Sequence, residues 1–147
     1  MLKVYTDAAV KQDLPVVGIG IVLSGEGEFH EQHARTLPIA ATNHEAEFLA
    51  IIEALTLLVE KHYTDQLLFL YTDSKIAADS INKRYAKRST FSNSLEKITT
   101  LMEHFPVVVT EWIPEKENQG ADNLARQGLR KALEQLTEEK KRTNDLP

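Results

Sequence analysis

LLFLYTDSK, residues 67–75, is the stretch whose reading decides the fold. Five residues of apolar character, 67–71, read as a fully buried strand over 67–72, and a helix-like segment follows at once over 74–82. Between them stands a carboxylate, Asp73, where the strand ends. The chain opens in the same way: residues 2–6 (LKVYT) run into Asp7, so the tripeptide Tyr-Thr-Asp occurs twice. In open sheets with parallel strands, the carboxyl ends of the strands are where working residues collect.

The other elements follow outward from these two. Residues 2–7 alternate apolar and polar as a strand does. Residues 16–23 (VVGIGIVL) predict a second strand ending near a Gly-rich turn, with Gly18 and Gly20 allowing a neighbour to come close. SGEGE, residues 24–28, predicts a hairpin into a third strand at 28–36, which Pro38 ends. Thr42 or Asn43 caps a helix that runs to about 61, with an apolar stripe through Ala46, Leu49, Ala50, Ile51, Ala54, Leu57 and Leu58. A helix capped near Ser92 is expected over 91–104 and a fifth strand over 107–113. A last helix starts near Asn118 and carries Leu124, Leu129, Leu133 and Leu136. The order βββαβααβα predicts an α/β fold: one mixed five-stranded sheet, its first three strands antiparallel and the rest parallel, flanked by helices. One domain over 1–137 is expected, with a charged, frayed tail at 138–147.

Composition narrows the function classes. The 147 residues include no cysteine, which excludes disulfide partners and thiolate-bound metals. No apolar run approaches the ~18 residues of a membrane span, and the start does not resemble a signal peptide. A cytoplasmic monomer with no membrane partner is the expectation. Seventeen basic against 22 acidic residues give a formal net charge of −5, which argues against a general electrostatic affinity for nucleic acid. A local basic cluster, KRYAKR at 83–88, stands apart from that average.

Four acids stand out by position. Asp7 and Asp73 end strands one and four, Glu47 lies about one turn into the first long helix, and Asp122 lies in the first turns of the last helix. Each alone has an ordinary structural reading, such as a helix cap for Asp73 or a first-turn acid for Glu47. As a set, this topology brings them to one end of the sheet. Four carboxylates a few ångströms apart raise one another's pKa steeply, and a divalent cation removes that penalty. An all-oxygen donor set suits Mg²⁺ or Mn²⁺ rather than zinc. Two such ions about 3.5–4 Å apart serve in-line displacement at phosphorus, so the expected chemistry is phosphodiester hydrolysis.

The segments YTDAA (5–9), GIGIVL (18–23), TNHEAEFLAIIEAL (42–55), YTDSK (71–75) and WIPEKENQGADNLAR (112–126) together resemble the type 1 ribonuclease H family, in its compact bacterial and archaeal branch. They cover nearly the whole chain, in family order and spacing. The resemblance implies the ribonuclease H-like fold and an endonuclease that hydrolyses the RNA strand of RNA–DNA hybrids to 5′-phosphate products, with two Mg²⁺ or Mn²⁺ ions in the substrate complex. The family's catalytic and metal-binding carboxylates fall on Asp7, Glu47, Asp73 and Asp122. Glu45 is the nearby rival of Glu47, which is preferred because the motif sets its acid directly after Ala46. Thr42 and Asn43 match the Thr-Asn pair that touches the hybrid backbone; His44, Lys75 and Lys116 are further candidates for substrate binding.

Departures from the family pattern keep other functions open. The Gly-rich turn of the form DGAxxGNPGxxG reads DAAVKQDLPVVG here, residues 7–18, which brings Asp13 and apolar side chains where backbone and amide groups face a hybrid. Residues 82–90 replace a long basic protrusion with a short handle in which Tyr85 is available for stacking. No histidine lies between Trp112 and Asp122. Trp112 itself is expected as core or rim at the end of strand five. Alternatives are a ribonuclease H-like binding module with weak or absent catalysis, and a metal nuclease with another nucleic-acid substrate.

Overall fold

The computed structural model describes residues 1–144. Its strands are β1 (Leu2–Val10), β2 (Val17–Gly25), β3 (His30–Leu37), β4 (Leu68–Thr72) and β5 (Val108–Trp112). Its helices are α1 (Asn43–Glu60), α2 (Lys75–Lys83), α3 (Ser89–Met102) and α4 (Gln119–Asn144), with one 3-10 turn at Glu115–Glu117. The sheet order is β3-β2-β1-β4-β5, antiparallel across β3, β2 and β1 and parallel from β1 through β4 to β5. The fold class and element order expected from the sequence are therefore found.

Two different surfaces cover the sheet. Leu2, Val4, Ile19, Ile21, Leu23, Leu68 and Leu70 form one core with Phe48, Ile51, Leu55 and Leu58 of α1 and Ile98 of α3. Phe48 stacks on Phe91 at 4.9 Å between ring centroids. Against the other face lies α4, seated by small residues. A Cβ at Gly18 would overlap the carbonyl oxygen of Ala125, one at Gly20 that of Ala121, and one at Gly128 that of Arg35. This close seat places the first turns of α4 directly over β2.

Several expected boundaries shift, each for a physical reason. β1 runs to Val10 because its antiparallel ladder with β2 continues to the Val10–Val17 pair. Asp7 is thus inside the strand, although it is the first residue past the parallel ladder with β4, which ends at Thr6–Thr72. β4 is not buried on both faces: Phe69 and Tyr71 are only partly covered, and Tyr71 stacks on Tyr5 at 4.8 Å. α3 begins at Ser89 after Arg88, without a side-chain cap, so Ser92 does not start it. On α4 the buried residues are Ala121, Leu124, Ala125, Gly128 and Ala132, while Leu129, Leu133 and Leu136 are half-buried, because only small side chains fit over the glycines of β2. Residues 138–144, expected as frayed, continue α4 as exposed helix, and 145–147 lie outside the described residues. No described helix is long and apolar enough to cross a membrane.

Candidate active site

Local capping decides which acids are free to act. Ser74, not Asp73, caps α2: its hydroxyl accepts from the Ala77 N–H at 3.1 Å, and the Ser74 N–H donates to the Thr72 hydroxyl at 3.1 Å. The Asp73 carboxylate is therefore spared that ordinary task. Thr42 caps α1, accepting from the Glu45 N–H at 3.2 Å, and its hydroxyl donates to the Glu45 carboxylate at 2.9 Å. Glu45 is thus engaged at the helix start, while Glu47, two residues on, turns inward.

Asp7, Glu47 and Asp73 each offer one carboxylate oxygen, and these oxygens lie within 4.8 Å of one another. The three acids come from β1, the second turn of α1 and the residue after β4. Burial is the largest cause of the shift of Asp7, whose pKa rises from 3.8 to about 7; the Asp73 charge adds to it, and hydrogen bonds from Glu47 and the Ala8 backbone oppose it. Glu47 is pushed up to about 10, first by burial and then by the charge of Asp7. Asp73 is raised by burial, against which a hydrogen bond from Asn118 acts. Burial and mutual repulsion thus favour a proton on the group near neutral pH when no cation is bound. Glu47 Oε2 is buried with no hydrogen-bond partner among the described residues. An all-oxygen donor set with an unpartnered buried carboxylate oxygen fits a hard divalent cation, which would satisfy that oxygen and offset the mutual repulsion.

The three acids open into a cleft of about 880 Å³, which Asn43, His44, Lys75, Lys116 and Asp122 also line. Asp122 is not one of the three acids whose oxygens lie within 4.8 Å of one another, but its carboxyl is near enough to add to the upward shifts of both Asp7 and Asp73. Its carboxylate pairs with Arg126 one helical turn on, at 3.2 Å. Thr42 lines instead a neighbouring groove of about 860 Å³, between the β1–β2 turn (Gln12, Asp13, Leu14, Pro15) and the start of α1, joined to the cleft by Asn43. Asp13 holds a left-handed backbone, φ 64°, at the tip of that turn. Trp112 sits on the rim, 49% exposed, and donates its indole N–H to the Asp73 carbonyl at 3.0 Å. Tyr85 of the short handle is 62% exposed.

Two neighbours of the carboxylates escaped the sequence reading. Asn118 was legible only as the start of a helix, yet its side-chain amide contacts Asp73. Its place between Trp112 and Asp122 in WIPEKENQGADNLAR (112–126) is the available signal. Arg126 follows Asp122 at the i,i+4 spacing that pairs opposite charges on a helix.

Residues 5–128 match the family described as Reverse transcriptase-like. A protein of Enterococcus faecalis, named "Putative hydrolase EbsB", is 39% identical over 132 residues, 89% of this chain and 96% of that protein. Among solved structures, LC11-RNase H1, in complex with an RNA/DNA hybrid, is similar at a TM-score of 0.79 and 28% identity, over 90% of this chain and 99% of that one. RNase H1 from the halophilic archaeon Halobacterium salinarum shares the fold at a TM-score of 0.79 and 24% identity, over 88% of this chain and 98% of the other.

Proposed function

The chain belongs to the Reverse transcriptase-like family, as a type 1 ribonuclease H, and on that premise we propose that it is a metal-dependent endonuclease that hydrolyses the RNA strand of RNA–DNA hybrids. The observation that carries this reading is the meeting of Asp7, Glu47 and Asp73 in one open cleft, with a buried Glu47 oxygen unpartnered. In the proposal these three acids hold Mg²⁺ or Mn²⁺, and Asp122 completes the set once it leaves Arg126. Held by these carboxylates together with substrate, two such ions would supply Lewis-acid activation for hydrolysis at phosphorus.

The chain's own groups account for the rest of the work. The Asn118 amide holds the Asp73 carboxylate in place, and the Ala8 backbone favours the charged forms of Asp7 and Glu47. Lys75 and Lys116 line the cleft as cations suited to phosphate, and Asn43 and His44, at the start of α1, suit phosphate oxygens or a ribose 2′-hydroxyl. Thr42 is assigned to the same strand contact only through its place beside Asn43, since its hydroxyl serves the helix cap. The cytoplasmic setting, the monomeric state and the single domain over 1–137 belong to the same proposal.

One observation favours a second reading, a metal nuclease for another nucleic acid. The groove beside the cleft presents Asp13, Leu14 and Pro15 in place of the glycine-rich turn whose backbone and amide groups face a hybrid, so the contact that would select a hybrid over another nucleic acid is altered. One assay separates the two: labelled RNA–DNA hybrid, RNA duplex, DNA duplex and single-stranded RNA, each with Mg²⁺ or Mn²⁺. The expected result is cleavage of the hybrid's RNA strand alone, leaving 3′-hydroxyl and 5′-phosphate ends, and its loss in Asp73→Asn. Cutting of a control in preference to the hybrid selects the second reading. Binding without cutting at any metal concentration removes both.

A further inference from the structure

Asn118 stands where three carriers of the site meet. It is 1% exposed. Its carbonyl accepts from the Asp122 N–H at 3.0 Å, which makes it the N-cap residue of α4. An asparagine there ordinarily turns its side chain back onto the helix's own N–H groups. Here the side chain crosses to the sheet instead. Its Nδ2 donates to the Thr6 carbonyl of β1 at 2.8 Å and to Asp73 Oδ2 at 3.1 Å. Its Oδ1 is buried with no hydrogen-bond partner among the described residues.

For stability alone this is a poor arrangement. The helix forgoes a side-chain cap, and a buried amide oxygen is left with its desolvation uncompensated. What the arrangement achieves is registration. Thr6 precedes Asp7, Asn118 opens the helix that carries Asp122, and the third group on the same amide is Asp73 itself. One NH₂ group thereby ties β1, the end of β4 and the start of α4 at the point where their acids converge.

The chemistry suits a carboxylate that must also take a cation. An amide supplies two hydrogens to two acceptors and brings no charge. A lysine or arginine there would compete with a cation, and an aspartate would repel its neighbours. A carboxylate has about four lone-pair sites, so one neutral donor leaves the others available while fixing the group's rotation.

We propose that Asn118 is a positioning residue: its side-chain amide fixes Asp73 against the end of β1 and the start of α4, and so sets how tightly the acid cluster holds a divalent cation. This rests on the metal-binding reading above but assigns a role to a residue that touches neither ion nor substrate. Groups that orient metal ligands in this way commonly contribute about 10–100-fold in metal affinity or activity.

The test compares the parent chain with Asn118→Leu, close in volume but without donors, and with Asn118→Ala. Mn²⁺ affinity is measured by titration calorimetry without substrate, and kcat and KM are measured on the hybrid at saturating and limiting Mn²⁺. Circular dichroism and thermal melts report the fold. The expected result in either folded variant is Mn²⁺ affinity about 10-fold weaker, kcat down by about 10–100-fold and KM for the hybrid within about twofold of the parent. A lower melting temperature with Mn²⁺ affinity and kcat unchanged would show a merely structural amide and overturn the proposal. Should Leu and Ala both fail to fold, Asn118→Gln keeps the donors and moves them one bond further, and unchanged Mn²⁺ affinity in it overturns the proposal equally. A parent that binds Mn²⁺ without cutting any nucleic acid, with binding weakened in the variants, supports the positioning role and removes the nuclease reading. A parent that binds no Mn²⁺ removes both.

Discussion

Asp7 is buried, and burial together with the Asp73 charge lifts its pKa from 3.8 to about 7. Between those values the native state holds a proton that the unfolded chain has already released. Stability therefore falls as pH rises through that window, and Glu47, lifted to about 10, extends the fall upward. With metal chelated, the melting temperature of the parent should decline from about pH 5 to about pH 9. Asp7→Asn removes one of the charges, so at pH 8 it should be the more stable protein by on the order of 2 kcal/mol, while losing nuclease activity. Melts across pH in the presence of a chelator check this; parallel pH profiles for parent and variant would refute the electrostatic account. The sequence made the candidate acids legible because each sits at a recognisable juncture of strand and helix. It did not show the pairing of Asp122 with Arg126, which depends on side-chain directions that spacing permits but does not dictate.

At the scale of elements, α4 shows why topology was easier to read than packing. Gly18 and Gly20 signalled a close neighbour, and one is there, but of the four leucines expected on the helix only Leu124 is buried, and the close seat falls to Ala121, Ala125 and Gly128. Close approach selects against bulk, a condition that hydrophobic periodicity alone does not express. Gly20→Ala would drive a methyl into the carbonyl of Ala121, one residue before Asp122. The expected cost is about 1–3 kcal/mol from forced displacement, with the first turn of α4 moved off the sheet. Chemical denaturation should show the loss, and activity should fall further than in a variant equally destabilised at a distance from the cleft. The end of α1 supplies a contrasting prediction. His62 follows the cap residue Lys61 with φ 62°, a left-handed conformation that glycine adopts without strain. His62→Gly should therefore raise stability by about 0.5–1 kcal/mol and leave cleavage unchanged, because the residue lies at the opposite end of α1 from Glu47.

Over the whole molecule, the fold and the site oppose each other. One hydrophobic core and, on the opposite face, a close helix seat hold the sheet together, and at one end that rigidity presses like charges into a buried cluster. The same rigidity is what makes a cation bind to the native chain in preference to the unfolded one, where Asp7, Glu47 and Asp73 lie far apart in sequence. Preferential binding stabilises by about 2.7 kcal/mol when free ligand reaches 100 times its dissociation constant. Millimolar Mn²⁺ or Mg²⁺ should thus raise the melting temperature of the parent. The rise should be larger at pH 8 than at pH 5.5, because at the lower pH protons on Asp7 and Glu47 compete with the ion. General screening of the net charge of −5 is the rival cause of such a shift. Sodium chloride at matched ionic strength isolates it: an equal rise with sodium, or a rise that survives intact in Asp73→Asn, would mean that the cluster does not hold the ion. A rise specific to the divalent cation, weaker in Asp73→Asn and growing with pH, is the expected outcome.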